Sequence, residues 1–299
     1  MWFRNLQLYR LPKNWATKSA RLEEELAVLV LQPCGASAAQ SLGWVPPCAG
    51  GALVHVVNRQ YLLALAAEEK LLPTSVVKQF ADERANAIED AEGRRVGRKE
   101  MRELREAMTI ELLPRAFTRR RTTFGWIDPI NGWLAIDAAA PAKAEEFLEQ
   151  LRKAVAGLPA TLIKVNQSPS AAMTGWVAEG EAPSSFTLDQ DLEMCSAENA
   201  KVRYVKHTLE GEEIGQHIAK GKVVTRLALT WGERISFLLN EKLEIKRLAF
   251  LDILKEEADG QAENEDERFD LDFTLMSGEL ARLLDDLIAA LGGEVAGVA

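Results

Sequence analysis

The chain has 299 residues, 47% of them hydrophobic and 27% charged, with a formal net charge of -9. This balance belongs to globular proteins and excludes a disordered or fibrous chain, and the length suits about two ordinary domains. The longest apolar runs, such as Leu26 to Leu31, end at Gln32 and Pro33, far short of the ~18 residues of a membrane span.

The opening residues lack the charged, apolar and small-residue pattern of a secretion signal, so a cytoplasmic location is expected. Cys34, Cys48 and Cys195 form an odd set without a C-x-x-C pair, which points to reduced thiols rather than a disulfide framework or a thiolate zinc site. Net acidity opposes a uniformly basic nucleic-acid binder, because phosphate rewards positive charge. Any DNA site must therefore be a local patch.

In chain order, the pattern predicts a strand over Trp2 to Arg10 and a helix over Lys18 to Leu31. A loop follows around Gly43-Trp44-Val45-Pro46-Pro47, then strands over Leu53 to Asn58 and Gln60 to Ala66. Two helical segments over Thr74 to Leu113 meet near Gly93 and Gly97. Their apolar seams, Val77, Phe80 and Ile88, then Met101, Leu104, Met108 and Leu112, are thin, so the segment reads as a projecting hairpin of two helices. A strand hairpin over Thr122 to Ile127 and Gly132 to Asp137 precedes a helix carrying Ala144, Phe147, Leu148, Leu151 and Val155.

The C-terminal half predicts strands over Lys201 to Thr208, Val223 to Trp231, Arg234 to Asn240 and Leu243 to Phe250, with a helix over Glu212 to Ala219. A last strand, Phe269 to Leu275, leads to a terminal helix capped by Ser277. The fold class is α+β, mostly antiparallel sheet with flanking helices. Its expected regions are 1–73 with 114–165 as a central α+β part, 74–113 as the helical projection, and 166–299 as a C-terminal α+β part. The stretch Lys255 to Asp272 has nine carboxylates against Lys255 and Arg268 and reads as a solvated loop.

His55, His207 and His217 have no partner at metal-ligand or triad spacing and read as ordinary structural histidines. No phosphate-binding glycine loop, dinucleotide fingerprint or nucleophile elbow occurs. No catalytic residue, metal or cofactor is expected. The alternative is a two-metal nuclease using Glu263, Asp266, Asp270 and Asp272, which would need those carboxylates to converge on a rigid scaffold.

Positive charge is segregated. Arg94 to Arg121 holds ten Arg or Lys against four Glu, and Lys201 to Arg226 holds six against three. Basic segments on an acidic body suit a phosphate-binding surface. Glu100, Glu103 and Glu106 fall at helical spacing among the arginines and are placed to pair with them. Lys220 and Lys222, by contrast, have no acidic residue within four positions, whereas Lys13 lies in a turn outside both basic segments.

Several ordered phrases resemble the recombination-associated protein RdgC family over residues 2 to 294. They are Trp2-Phe3-Arg4-Asn5-Leu6 with Tyr9-Arg10-Leu11, Pro33-Cys34-Gly35, Gly43-Trp44-Val45-Pro46-Pro47, and Leu112-Leu113-Pro114-Arg115-Ala116-Phe117. Gly221-Lys222-Val223-Val224-Thr225, Ile245-Lys246-Arg247-Leu248, Arg268-Phe269-Asp270 and Leu275-Met276-Ser277-Gly278-Glu279-Leu280 complete the set. The resemblance implies a non-enzymatic protein that binds double-stranded DNA, and single strands more weakly, without sequence preference. It further implies a ring-shaped homodimer with a basic inner surface, nucleoid association, antagonism of RecA and a role in replication-fork repair.

By the same resemblance Phe117 matches the aromatic that closes one end of the ring, and Lys206 matches a residue of the DNA-facing surface. Lys222 and Arg226 lie in or beside a matching phrase, and His207 departs from the glutamine expected beside the lysine. Arg119, Arg120 and Arg121 form a basic run longer than the family's. With Lys220, these are the expected DNA contacts.

Overall fold

The computed structural model describes the chain except residues 13, 14, 16, 17, 184, 253, 255–261, 263 and 296–299. Its residues fall into two compact units, one of Met1–Leu26, Pro46–Leu63 and Thr123–Ala299, the other of Ala27–Val45 and Ala64–Thr122. The fold is α+β with antiparallel ladders, and seven α-helices occur among the described residues. None of these helices is long and apolar enough to cross a membrane.

In the larger unit, β1 (Gln7–Arg10) lies between β6 (Trp133–Ile136) and the short β7 (Thr161–Leu162). The end of β5 (Phe117–Asp128) pairs with β6 through a turn that Asp128 organises by accepting the N–H groups of Ile130 and Asn131. β3 (Val54–Val57) forms a hairpin with the start of β4 (Gln60–Leu71). Helices α1 (Ser19–Ala27) and α4 (Pro141–Ala154) bury Leu22 and Leu26, and Ala144, Phe147, Leu148 and Leu151. Trp126 and Trp133 are fully buried, each such side chain contributing about 1.5–3 kcal/mol of burial.

The same unit holds a five-stranded sheet of order β12-β11-β10-β8-β9, made of β8 (Phe186–Cys195), β9 (Lys201–Tyr204), β10 (Val223–Trp231), β11 (Ile235–Asn240) and β12 (Ile245–Phe250). One face, with Leu192, Met194, Val224, Leu229 and Phe237, joins the core formed with α5 (Pro169–Glu179) and α7 (Glu265–Ala290). Helix α6 (Glu212–Ala219) buries Ile214 in that core. Side chains alternate across a strand, so the other face is left to polar and charged residues.

In the smaller unit, β2 (Gln40–Val45) pairs with the continuation of β4, from Ala64 onward. Helices α2 (Thr74–Glu92) and α3 (Arg98–Leu112) follow one another and pack together. Gly93 ends α2 in the left-handed conformation at φ 66°, its N–H reaching the Glu89 carbonyl. Their buried residues are only Ala81, Ala85 and Met108; of the expected seam Met108 alone is buried, and Phe80 is exposed.

Several expectations are corrected. The predicted loop at Gly43 to Val45 is strand β2, because Gly43 lets it lie against Val30 and Leu31. The predicted strand Phe269 to Leu275 is helical, with Ser277 inside α7. The cap is Asn264, whose side chain accepts the Glu267 N–H, while Glu265, Asp266 and Glu267 suit the positive end of the helix dipole. Residues 265–272 of the supposed acidic loop therefore form the first turns of a helix, and 255–261, 263 and Lys13 lie outside the described residues. The first predicted strand shortens to Gln7–Arg10, and β8 and α5 had no counterpart in the sequence reading. Strand β9 ends at Tyr204, so Lys206 is not on a strand as expected; it sits in a bend at φ 52°.

Candidate nucleic-acid interface

The exposed face of the five-stranded sheet gathers cations from strands far apart in sequence. On β9, Lys201 and Arg203 point outward opposite Cys195 and Glu193 of β8. Across β8, Arg226 of β10 stands opposite Glu193, and on β12 Lys246 stands opposite Leu238. Asn5, Asp191, Glu193, Arg203, Arg226, Lys246 and Arg247 together line one shallow depression.

Two β-bulges aim the arginines. Strict alternation from the buried Val224 would turn Arg226 inward. An extra residue, Thr225, between the Val224–Met194 and Arg226–Glu193 pairs resets the alternation and sends Arg226 out. On β12, Arg247 and Leu248 together oppose Phe237, and Arg247 takes φ 52°. A non-glycine residue at positive φ is uncommon, and Lys206 shares this conformation. The carboxylate of Asp191 serves both residues, accepting the Lys206 backbone N–H at 3.0 Å and the Arg247 guanidinium at 3.2 Å.

Acidic side chains moderate this surface without cancelling it. Glu193 lies 3.3 Å from Lys201 and 3.5 Å from Arg226. Glu244 lies 2.8 Å from Lys246; burial disfavours its ionised form, but bonds from Lys246 and Asn240 prevail and hold the carboxyl below the usual carboxylate range. Among the described residues no carboxylate is within ion-pair distance of the side chains of Arg203, Lys206, Lys220 or Lys222. Lys220 ends α6, and the Lys222 ammonium donates to His217 Nδ1 at 3.2 Å in the turn that enters β10. His207 bonds the Thr208 carbonyl at 2.7 Å through Nδ1.

The other expected contacts belong to the smaller unit. Phe117 opens β5 after a 3-10 turn, Leu113–Arg115, and is 84% exposed. Arg119 and Arg120 reach Glu69 and Glu68 of β4 at 3.3 and 3.1 Å, cross-strand pairs at the surface. The Cys34 N–H and then Arg120 hold the Glu68 carboxyl below its usual range. Arg121 is exposed. On α3, Lys99 pairs with Glu103 and Arg102 with Glu106 at helical spacing, while Arg94, in the turn before the helix, pairs with Glu92 and Glu100.

Comparison with known proteins places this geometry. Residues 1–294 match the family described as "Putative exonuclease, RdgC". The recombination-associated protein RdgC of Dechloromonas aromatica is 53% identical over 300 residues, covering 99% of each chain. That of Herminiimonas arsenicoxydans is 53% identical over 298 residues at the same coverage, and that of Bordetella pertussis 51% over 296, covering 98% of this chain and 99% of its own. The chain belongs to the RdgC family.

In this RdgC-family chain two of the carboxylates weighed for a nuclease engage protein groups. Asp270 Oδ1 is 2.9 Å from His55 Nε2, and Asp272 is 2.5 Å from the Met1 amine. Among the described residues no three His, Cys, Asp or Glu side chains are arranged to hold a metal ion, and Glu263 lies outside them. The sequence reading missed Lys246 and Arg247 as members of the cationic face. The Ile245-Lys246-Arg247 alternation was visible, but the bulge that turns Arg247 outward was not. It also missed the partners of His55, which come from two separate segments, the loop holding Cys48 and the helix holding Asp270.

Proposed function

We propose that this RdgC-family chain binds double-stranded DNA along the cationic face of the five-stranded sheet, without reading its sequence and without cleaving it. The observation that carries this reading is the convergence of Lys201, Arg203, Arg226, Lys246 and Arg247 on one rigid face of an acidic chain, with two arginines aimed outward by bulges. Guanidinium groups match phosphate oxygens in geometry and charge, and contacts to phosphate carry no sequence information. Lys206, Lys220 and Lys222 extend the surface at its margin.

The wider setting follows the family resemblance. The chain acts as a ring-shaped homodimer, binds single strands more weakly, associates with the nucleoid in the cytoplasm, and restrains RecA during recombination and replication-fork repair. Exposed Phe117 suits an interface anchor, and the thin seam between α2 and α3 suits a projecting pair of helices. In a two-fold dimer each cation appears twice. Labelled linear duplex incubated with Mg²⁺ or Mn²⁺ tests the reading: a mobility shift with intact DNA is expected. Cleavage abolished by EDTA would make the chain a metal-dependent nuclease, and no shift at all would leave a protein-binding scaffold.

A further inference from the structure

The loop between β2 and β3 brings Cys48 against His55, and α7 brings Asp270 to the other side of the same ring. Cys48 Sγ is 3.7 Å from His55 Nδ1, and His55 Nε2 is 2.9 Å from Asp270 Oδ1. The imidazole thus stands between a thiol and a carboxylate, the order found wherever a nucleophile is served by a base that a third group orients. Its surroundings hold it in place. Phe269 and Phe273 meet the His55 ring at 5.0 and 5.9 Å, and the Glu23 carboxylate accepts the Leu53 and Val54 N–H groups at the start of β3. A Cβ at Gly51 would come within 2.7 Å of Cys48 Sγ, so the loop leaves room for this thiol only because that residue is glycine.

We infer that Cys48, His55 and Asp270 form a reactive-thiol site, in which His55 takes the Cys48 proton as the sulfur attacks a small soft electrophile such as hydrogen peroxide. Two balanced transfers describe the peroxide reaction. The thiol proton passes to His55 Nδ1 while sulfur bonds to one peroxide oxygen and the O–O bond breaks. The departing hydroxide then recovers the proton from the imidazolium and leaves as water. Cys48 becomes a sulfenic acid, oxidised by two electrons, and the peroxide is reduced.

Three groups set the behaviour of this thiol. Burial first, then the carboxylates of Asp266 and Asp270, push the Cys48 thiol above its usual range. A standing thiolate is therefore disfavoured, and attack depends on proton transfer to His55. Asp270 is 54% exposed, and its carboxylate sits at ion-pair distance but outside hydrogen-bond alignment with Nε2. A small rotation of this surface side chain aligns it as the imidazole becomes charged. Cys34 and Cys195 bond backbone carbonyls of Ala38 and Ser196 instead, and serve as internal controls.

Timed iodoacetamide labelling of the full chain at neutral pH, read cysteine by cysteine by peptide mass spectrometry, tests the site. Cys48 should label at least about tenfold faster than Cys34 and Cys195, below the usual reach of a positioned general base. His55→Asn should bring it down to their rate, and the gap from the parent chain should close at alkaline pH, where hydroxide removes the proton unaided. Asp270→Asn, a change at an exposed position, should slow Cys48. Lost negative charge alone would speed it instead. After brief hydrogen peroxide treatment, dimedone should mark Cys48 ahead of the other two. Equal labelling of the three cysteines, or a faster Cys48 in Asp270→Asn, would overturn the inference.

Discussion

Lys206 and Arg247 take the same left-handed backbone conformation and are tied to opposite oxygens of one carboxylate, that of Asp191. Strain of this kind persists where the surroundings over-determine it, and it gathers at functional sites. Asp191 lies where β8 departs from regular pairing with β10, between the Leu227–Leu192 and Leu229–Leu188 pairs. Irregularities in β8 and β12 and the bend after β9 thus cooperate to present two cations that regular strands would have placed otherwise.

Glu193 is the acidic counterweight of this surface. Replacing it with Gln frees Lys201 and Arg226 without changing side-chain shape. Duplex affinity at low salt should rise by a factor of about two to five, the reach of a surface charge pair worth ~0.5–1 kcal/mol. Fluorescence anisotropy reads this directly, and unchanged or weaker binding would show that Glu193 does not face the DNA.

Phe117 is the most exposed large hydrophobic side chain among the described residues. As an interface anchor it would be covered on self-association, so Phe117→Ala should shift the assembly toward monomer in sedimentation velocity. Its fold should be unchanged, since little buried contact is lost. An unaltered sedimentation profile together with unaltered DNA binding would remove Phe117 from the interface.

Glu244 couples the margin of the cationic face to pH. Its carboxyl is held below the ordinary carboxylate value of about 4.3 by Lys246 and Asn240, despite burial. A depressed folded-state value gives stability that is present above that ordinary value and lost as pH falls through the folded one. Thermal melts should therefore find Glu244→Gln less stable than the parent at pH 7 and indistinguishable from it at a pH low enough to protonate Glu244 in the parent. A difference that persists unchanged into acid would point to packing instead.

Gly43 marks a close backbone approach. A Cβ there would come within 2.3 Å of the Leu31 backbone, beside the bridge between Val30 and Trp44. Neither neighbour is a flexible side chain that can step aside. Gly43→Ala should cost about 1–3 kcal/mol, measured as a lower urea midpoint. An unchanged midpoint would mean that the β2 segment shifts freely.

Local patterns made much of this legible. The bounds of α6 and β10 agree with the spans expected from the sequence, and the glycine pair between α2 and α3 follows from turn chemistry. The failures have physical causes. Residues Phe269 to Leu275 alternate like a strand, but the cap at Asn264 and the long apolar face of α7 outweigh that short pattern. Strand β8 is polar along its exposed side and irregular at Asp189 to Asp191, so its alternation is broken where it matters. Arg226 and Arg247 owe their directions to bulges, which depend on the partner strand. The Cys48, His55 and Asp270 grouping joins a loop, a strand and a distant helix, so no spacing announces it.

The central claim is that the sheet face meets phosphate, and the salt dependence of binding tests it most directly. Log K against log salt should fall on random and defined duplexes alike, by about 0.9 per phosphate contact. Lys206→Glu, Lys222→Glu and Arg226→Glu should each weaken binding to every sequence and flatten the slope. Lys153→Glu, on α4, where Lys153 is paired with Glu149, carries the same charge change away from the sheet and should have little effect. Equal losses from Lys153→Glu and Arg226→Glu in proteins of unchanged assembly, or a slope that all the variants leave intact, would contradict the account.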